Sequence, residues 1–568
     1  MNAATEAVVF SANLTQWNSG GTHSTSGDRV WWFDFSGTTA PGNYFVRDAE
    51  QSVVSPTFAI NEDVYKDVLK QAFRTFFYQR AGFAKEEPYA EAAWADGASH
   101  LGNLQDSEAR IYNDSDNAAT EKDLSGGWYD AGDYNKYTNW TADYVIGLLH
   151  AYLENPAAWG DDFDLPESGN GVPDILDEIK WGLDSLIKMQ NANGSVLSIV
   201  GLSHASPPSS ASGQSLYGSE STSATLTTAG AFALGSTVFE SLGEPSLATY
   251  ADELQTRAES AWDWADTNPA VVFRNNDAAA GTSGLGAGQQ EVDDGGREMK
   301  KLEAATYLFE LTGESEYQTY FESNYEDAEL ITSTYSSAFR VHVTHFLLYY
   351  AALESVTEAV ANNIQQKFVS AMNGGNVWGA VNSISDPYLA YLQDYTWGSS
   401  GIKANKGSMF YEQILYGLGT QTQAEIENTA AHYIHYLHGV NPLGKVYLSN
   451  MGDYGAENSV DQFYHTWFAH GNATWDSVTE STYGPAPGFL VGGPNPSYDW
   501  DSCCPNSCGG ASNNAMCGLA QLEPPYSQPA QKSYTDFNNS WPLNSWSVTE
   551  NSNGYQIRYL RLLSKYVQ

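Results

Sequence analysis

The chain has 568 residues, of which 42% are hydrophobic and 13% aromatic, so it can bury a large core and global disorder is not expected. Its 68 Asp and Glu residues outnumber 26 Lys and Arg residues, which gives a formal net charge of −42 at pH 7. That excess of negative charge repels nucleic acid and anionic lipid, and we expect neither as a partner. Neutral ligands remain, and the 17 Trp and 36 Tyr residues favour sugars, whose apolar faces stack on aromatic rings.

The sequence contains no run of about twenty apolar residues, so no membrane-spanning segment is predicted. Its first residues, MNAATEAVVFSANLTQ, lack the basic start and the apolar stretch of a secretory signal. This pattern fits either a cytoplasmic protein or one whose signal has been trimmed, and we expect the trimmed, secreted form. The four Cys residues all lie between Cys503 and Cys517, which favours two local disulfides over a soft-metal site.

Residues 1–60 differ in pattern from the rest of the chain. The runs VVFSANLT, VWWFDFSG and NYFVRD are of β type and are separated by Gly, Pro and Ser. We predict a small β-sandwich module here. It is incomplete or reduced, because a full sandwich needs about 100 residues.

From Asn61 onward the apolar residues follow a helical period, beginning with Val64, Val68, Ala72 and Phe76. Further helices are predicted near 140–153, 174–190, 224–241, 247–266, 299–312, 339–355, 360–373, 408–419, 424–438 and 555–567. Long loops rich in Gly, Asn, Ser and Tyr separate them, and loops of this length indicate function. We therefore predict that residues 61–568 form one mainly α domain of six helical hairpins closed into a ring, with the chemistry at one end.

The motif GGWYDAGDYNKY at Gly126–Tyr137 is the densest candidate for chemistry. Asp130 and Asp133 are three residues apart in a turn rich in Gly and aromatic residues, so both carboxylates can face one pocket and hold one water. Hydrolysis of a glycosidic bond with inversion requires such a carboxylate-activated water. An isolated DxxD pattern in a loop is more often a cap, a turn or a calcium ligand. The surrounding rings favour catalysis, because a calcium loop does not need them.

A second candidate is Glu550 in NSWSVTENSNGYQ, which leads into the last predicted helix. One interpretation is an acid in the first turn that interacts favourably with the helix dipole. The other is a proton donor whose pKa is raised by aromatic neighbours such as Trp546 and Tyr555.

Several long blocks of the sequence, in order, resemble glycoside hydrolase family 9. They are AFRTFFYQRAG, SEARIYND, GGWYDAGDYNKY, LPESGNGVPDILDEIKWGLDSLIKMQ, YLHGVNPLG, GPAPGFLVGGPN and SWSVTENS. The resemblance covers the chain from about residue 61 to the end. It implies an (α/α)6 barrel, often preceded by an immunoglobulin-like module, and cellulase-type activity.

Carried over by position, the resemblance implies that Asp133 is the general base and Asp130 helps bind the attacking water. Glu550 would be the general acid. His465 in QFYHTWF would contact the sugar near the cleavage point, although a surface-loop His is the alternative. Further substrate-binding candidates are the aromatic residues of these blocks, Trp128, Tyr129, Tyr134, Trp467 and Tyr555.

The chain also departs from the family pattern. Thr466 and Trp467 stand where many members have an Arg after the His, and Asn544 stands where many have an Asp before the acid. The preferred substrate is therefore open. Many members bind a structural zinc near QRCG and CH, whereas this chain has Ala81 and His100 there, and one His cannot hold zinc. We expect no family-type zinc and no cofactor for the chemistry, and a structural calcium stays open.

Three functions fit these observations. The leading one is an endo-β-1,4-glucanase, an inverting enzyme that acts on β-glucan as a monomer. An exo-acting cellobiosidase, β-glucosidase or exo-β-glucosaminidase is the alternative within the family, because residues 450–540 could close one end of a cleft. A non-catalytic glycan-binding protein is the third, and it is disfavoured because binding alone does not need two opposed carboxylate sites.

Overall fold

The computed structural model describes residues 1–465, 467, 471–518 and 520–568. The short strands are β1 (Thr15–Gln16), β2 (Trp31–Trp32), β3 (Gly42–Tyr44), β4 (Arg47–Asp48), β5 (Val53–Val54), β6 (Phe58–Ile60), β7 (Arg110–Ile111), β8 (Lys136–Tyr137), β9 (Ile199–Gly201), β10 (Leu216–Tyr217), β11 (Val446–Ser449) and β12 (Ser459–Val460). The helices are α1 (Lys66–Gln79), α2 (Thr138–Glu154), α3 (Asp174–Met189), α4 (Thr222–Ser241), α5 (Pro245–Thr267), α6 (Asp294–Thr312), α7 (Ser315–Asn324), α8 (Glu329–Ser333), α9 (Val341–Ala352), α10 (Glu358–Met372), α11 (Trp378–Asn382), α12 (Ser399–Leu415), α13 (Gln423–Leu437), α14 (Ala511–Cys517), α15 (Trp546–Thr549) and α16 (Asn553–Leu563).

The long helices form two concentric rings. The inner ring runs α2, α4, α6, α9, α12, α16 and back to α2, each helix packing on the next. The outer helices α3, α5, α7, α10 and α13 each pack on the inner helix that precedes them, and α1 packs on α16. This arrangement confirms the predicted mainly α fold and the (α/α)6 barrel. The inner helix from the C-terminal part of the chain thus closes the ring against the first inner helix.

The composition of the helices explains which ring each one joins. Inner helix α4 is buried on almost every side, and its run TSATLTTAGAFALGS supplies small residues that allow neighbouring helices to come close. Outer helix α3 is amphipathic instead, with Ile175, Ile179, Leu183 and Leu186 on its buried face. Helices covered on all sides line the barrel interior, whereas helices with one apolar stripe cover its outside.

Residues 1–60 form three separate two-stranded antiparallel sheets, β1–β2, β3–β6 and β4–β5. The predicted β-rich start is therefore confirmed as a small β module. The boundary at residue 60 and the immunoglobulin-like character stay predictions. Two tryptophans attach the module to the barrel. The Trp17 indole N–H donates to the Ile384 carbonyl at 2.9 Å, and the Trp32 indole N–H donates to the Pro387 carbonyl at 2.8 Å.

A four-stranded sheet in the order β7-β10-β9-β8 leads into the inner ring. Its strand β8 pairs antiparallel with β9, with Tyr137 opposite Ile199, and runs directly into α2. The sheet therefore fixes the segment just before α2, where the GGWYDAGDYNKY motif lies. In the loop after β12, Cys503–Cys508 and Cys504–Cys517 form the two predicted local disulfides. Among the described residues, the helices are all too short or too polar to cross a membrane.

Candidate active site

The turn that carries Asp130 and Asp133 is held against the segment that carries Glu550. Ala131 forms an isolated antiparallel bridge with Ser552, and the Asn553 N–H donates to the Asp130 carbonyl at 3.0 Å. These backbone contacts bring together acids that are more than four hundred residues apart in sequence. They also place both segments at the N-terminal ends of α2 and α16.

Gly132, between the two aspartates, makes the close approach possible. Its N–H donates to Glu550 Oε1 at 3.2 Å. A Cβ at this position would lie 2.6 Å from the Tyr464 ring and 2.9 Å from Glu550 Oε1, closer than any real Cβ contact. The glycine of DAGD is therefore required by packing against the acid and the ring.

Asp133 is almost fully buried, and its two carboxylate oxygens have different surroundings. Oδ2 accepts hydrogen bonds from the Tyr137 hydroxyl at 2.8 Å and from Asn135 Nδ2 at 2.9 Å. Oδ1 has no hydrogen-bond partner among the described residues. Burial raises the pKa of Asp133, while the Asn135 and Tyr137 donors and the nearby His204 oppose the rise. Asp133 is thus a carboxylate with one oxygen held and one able to accept a proton.

Asp130 is held by a different tyrosine. The Tyr144 hydroxyl, from α2, donates to Asp130 Oδ1. Burial, and next the charge of Asp133, raise the pKa of Asp130 well above its usual range. The two aspartates therefore do not ionise independently.

Glu550 lies just before α16 and is not the residue that caps it. Ser552 is the N-cap, and its side chain accepts from the Gly554 N–H at 3.1 Å. Burial, and next the charges of Asp133 and Asp130, raise the pKa of Glu550 well above its usual range, against the Gly132 N–H. A carboxyl group whose pKa is raised in this way holds its proton more strongly than an exposed one, which suits a general acid.

All three acids line one cavity of about 740 Å³, which also extends along the inner helices to His150 of α2 and Arg561 of α16. Aromatic side chains of its wall are Trp140, Tyr144, Trp397, Tyr464, Trp546 and Tyr555. The volume lies in the range of small-ligand sites, and a pocket with rings and a few convergent polar groups is the typical form of a binding site. Of the site residues predicted from the sequence, the three acids and Tyr555 lie together on this cavity.

Substrate binding by Trp128, Tyr129 and Tyr134 stays a prediction that this geometry does not support. All three are core residues at 1% exposure or less, outside the cavity wall. The Trp128 indole N–H donates to Glu178 at 2.6 Å, and Tyr129 contacts His100 at 2.9 Å. These rings pack on the core side of the turn, whereas Asp130, Ala131 and Asp133 line the cavity.

His465 and Trp467 are buried as well and do not line the cavity. The His465 ring lies 4.2 Å from that of Phe463, and Trp467 meets Tyr78 edge to face at 6.3 Å. Thr466, named as a departure from the family pattern, lies outside the described residues. A contact between His465 and a sugar stays a prediction that this geometry does not support.

Several cavity residues were not predicted from the sequence. His204 lies in the loop after β9, Trp397 in the loop before α12 and Tyr464 after β12. The signal that could have identified Trp397 is a large ring in the loop TWGSS, where it is 49% exposed. His204 has no such signal, because a His in a Ser-rich loop looks like a surface residue.

His100, at the position where many members of the family bind zinc, makes hydrogen bonds with both of its ring nitrogens. His100 is buried, with Nδ1 near the Tyr129 hydroxyl and Nε2 near the Ser203 carbonyl, both at 2.9 Å. Within the described part of the chain, the other group with ligand-like spacing outside the disulfides is His150, Glu154 and His345. Glu154 in this group already binds Arg561 and Lys565, so its charge is compensated without an ion. Calcium stays open.

Carboxyl groups with contrasting surroundings in one cavity are the arrangement that glycoside hydrolases use. Residues 65–555 match the model of Glycosyl hydrolase family 9, and the chain belongs to this family. The resemblance stated from the sequence blocks is therefore confirmed, and the chain is a glycoside hydrolase.

Relatives with known names support the same class. The chain is 25% identical to a cellulose 1,4-beta-cellobiosidase from Acetivibrio thermocellus over 605 residues of alignment, 97% of this chain and 62% of that protein. It is 26% identical to a xyloglucan-specific endo-beta-1,4-glucanase from Bacteroides ovatus, over 82% of this chain and 76% of that protein. The crystal structure of a metagenome-derived family 9 endoglucanase superposes with a TM-score of 0.78 at 25% identity, covering 100% of this chain and 91% of that one. The chain thus spans less than two thirds of the cellobiosidase and most of the other two.

Proposed function

We propose that the protein hydrolyses β-1,4-glucan chains with inversion, using Asp133 as general base, Asp130 to orient the attacking water and Glu550 as general acid. The observation that carries this proposal is the contrast between two carboxyl groups on one cavity. Burial raises the pKa of both groups, but the Tyr137 and Asn135 donors oppose the rise at Asp133, whose other oxygen has no partner among the described residues. The pKa of Glu550 is raised well above its usual range, with the Gly132 N–H opposing the rise.

The reaction balances in a single displacement. Glu550 gives its proton to the glycosidic oxygen as the bond to the anomeric carbon breaks. Asp133 takes a proton from the water that attacks the opposite face of the sugar, so that the new bond has the inverted configuration. The two residues exchange protonation state, and solvent restores it. Such a path requires roughly 6.5–9.5 Å between the two carboxyl groups, which leaves room for the water.

The substrate class rests on the cavity wall and on the relatives. Trp397, Tyr464 and Trp546 offer ring faces and edges on which sugar rings stack. The named relatives include a cellobiosidase and an endo-beta-1,4-glucanase, both enzymes of β-1,4-glucans. Endo cleavage is the proposed mode, since relatives named endoglucanases recur.

The first test is the anomer of the product together with the variant Asp133→Asn. Cello-oligosaccharide cleaved by the wild type is expected to give the α-anomer at the first time points in proton NMR. Asp133→Asn is expected to fold normally and to lose roughly 10²–10⁴-fold in rate, because an amide cannot take the proton of the water. Early β-anomer, or near-normal turnover of the variant, would refute the proposal.

The mode of attack needs a separate measurement. The viscosity of a soluble cellulose derivative is followed alongside the release of reducing ends. Endo cleavage lowers viscosity steeply at low conversion, whereas an exo enzyme releases sugar with little change in viscosity. Chitosan oligomers in the same assay test the glucosaminidase alternative.

We also propose that the protein is extracellular and acts as a monomer. The two disulfides support an oxidising compartment, because such bonds are rare in the cytosol. Sedimentation of the purified protein at micromolar concentration tests the monomer, and a dimer mass would contradict it.

A further inference from the structure

The hydroxyl group of Tyr137 has an unusually complete set of hydrogen bonds. It accepts from the backbone N–H groups of Ala287 at 2.7 Å and Gly288 at 2.9 Å. It donates to Asp133 Oδ2 at 2.8 Å. Asn135 Nδ2 also donates to this hydroxyl, at the longer distance of 3.4 Å. A phenol has one proton, and because these neighbours are donors, the proton is directed toward Asp133 Oδ2, its acceptor among the described residues.

Two glycines allow the backbone of residues 286–288 to reach this hydroxyl. Gly286 has φ +84°, and a Cβ there would lie 2.6 Å from Ile199 and 3.1 Å from the Tyr137 ring. A Cβ at Gly288 would lie 2.6 Å from Trp140. Ala287 and Gly288 also line the cavity. The segment 286–288 therefore connects the cavity wall to the proposed base through one tyrosine.

We propose that Tyr137 is a positioning residue, which anchors Asp133 to segment 286–288 by holding Oδ2 and so keeps Oδ1 as the oxygen that receives the proton. This inference rests on the proposed function. Tyr137 itself is 1% exposed and is not among the residues that line the cavity, so it acts through Asp133 and not on the substrate.

The ionisation of Asp133 provides a readout that a purely structural role would not move. The groups that face Asp133 are Asp130 on the same turn, Glu550 before α16, Tyr464 after β12 and His204 after β9, besides the donors Tyr137 and Asn135. A hydrogen bond to the charged form lowers a pKa. Without the Tyr137 hydroxyl, the pKa of Asp133 rises, and the acidic limb of the pH profile moves to higher pH.

The test is Tyr137→Phe, measured as kcat and KM on cello-oligosaccharide across pH. We expect kcat to fall roughly 10- to 100-fold, as for a misplaced catalytic group, with KM nearly unchanged. The acidic limb of kcat/KM is expected to move up by about one pH unit, the effect of losing one charge-assisted hydrogen bond. Tyr250→Phe is the matched control, since its hydroxyl also donates to a carboxylate, Asp184 at 2.8 Å, far from the cavity. The control should leave the profile where it is.

A second substitution keeps the hydroxyl group and its hydrogen bonds in case the Phe variant does not fold. Tyr137→3-fluorotyrosine makes the phenol more acidic and a stronger donor, so the acidic limb should move to lower pH. An unchanged acidic limb in either folded variant, or an equal shift in Tyr250→Phe, would overturn the positioning role. This failure is distinct from failure of the proposed function, which shows as early β-anomer or as an active Asp133→Asn variant.

Discussion

At the scale of single residues, the structure assigns helix capping to Ser552 and leaves Glu550 free of that role, a distinction that the sequence alone does not make. Both precede α16, but only Ser552 caps the helix, whereas the Glu550 carboxyl turns to the DAGD turn and accepts from Gly132. The interpretation of Glu550 as a favourable first-turn acid therefore does not describe its contacts.

Glu550→Gln is expected to abolish hydrolysis of cello-oligosaccharide and to spare a substrate with an excellent leaving group, such as a glycosyl fluoride, because that group departs without a proton. Ser552→Ala is the paired variant, and it should cost about 1 kcal/mol of folding free energy through the lost cap. Rates on both substrates and thermal unfolding distinguish the two. Equal modest losses on both substrates in Glu550→Gln, tracking its melting temperature, would make Glu550 structural.

At the scale of structural elements, the DAGD turn depends on a glycine that contacts another segment. The Cβ of Gly132→Ala would collide with the Tyr464 ring and the Glu550 carboxylate. We expect the barrel to remain folded, with a cost of roughly 1–3 kcal/mol, and activity to fall about 10²-fold because the acid is displaced.

Gly375→Ala serves as the control for Gly132→Ala, since a Cβ there has no atom within 4 Å. Circular dichroism and turnover are measured on both variants. Full activity of Gly132→Ala would mean that the turn and the acid segment need not touch.

The sequence predicts poorly those helices in which the apolar residues do not follow the helical period of 3.6 residues. Helix α12 begins at Ser399, although its apolar pattern begins near 408. Its first residues, SSGIKANKG, are buried on all sides between neighbouring helices, so no polar face marks the turn. Helix α7 was missed for the opposite reason, because only Tyr317 and Phe321 are buried in an otherwise polar stretch.

The residues of the candidate site likewise fall into those that the sequence predicts and those that it does not. The DAGD turn and Glu550 could be identified because family blocks carry them, and their proximity follows from the barrel. Which aromatic rings face the cavity could not be predicted from the sequence. Trp128 and Tyr144 are both aromatic and both close to the two aspartates, and only the fold places Trp128 in the core and Tyr144 on the cavity wall. Tyr464 and Trp397 reach the cavity from distant loops, and no local pattern encodes that approach.

At the scale of the whole molecule, the β module is attached to the barrel by polar contacts. Asp28 accepts from Tyr388 at 2.8 Å and pairs with Lys532, joining the module to two distant parts of the barrel domain. None of these three residues lines the catalytic cavity.

Asp28→Asn should therefore lower the melting temperature by roughly 1 °C, as expected for a loss of about 1 kcal/mol in a chain of this size, with kcat unchanged. Asp48→Asn is the control, since Asp48 accepts only from its own turn, at Glu50 and Gln51. Calorimetry and turnover test the pair, and a fall in kcat for Asp28→Asn alone would show that the module contributes to the site.

The closure of the inner ring by α16 has a consequence for the timing of synthesis. Glu550 and α16 follow every other element of the barrel in sequence, while Asp130 and Asp133 come early. A polypeptide emerging from the ribosome N-terminus first exposes its two aspartates long before the glutamate and the closing helix exist outside the tunnel. A nascent chain interrupted before Glu550 would lack both α16, the last wall of the barrel, and the carboxyl group proposed as the proton donor. With the proposed roles of these acids, catalytic competence and completion of the ring therefore arise together, and we expect a fragment that ends before Glu550 to be inactive.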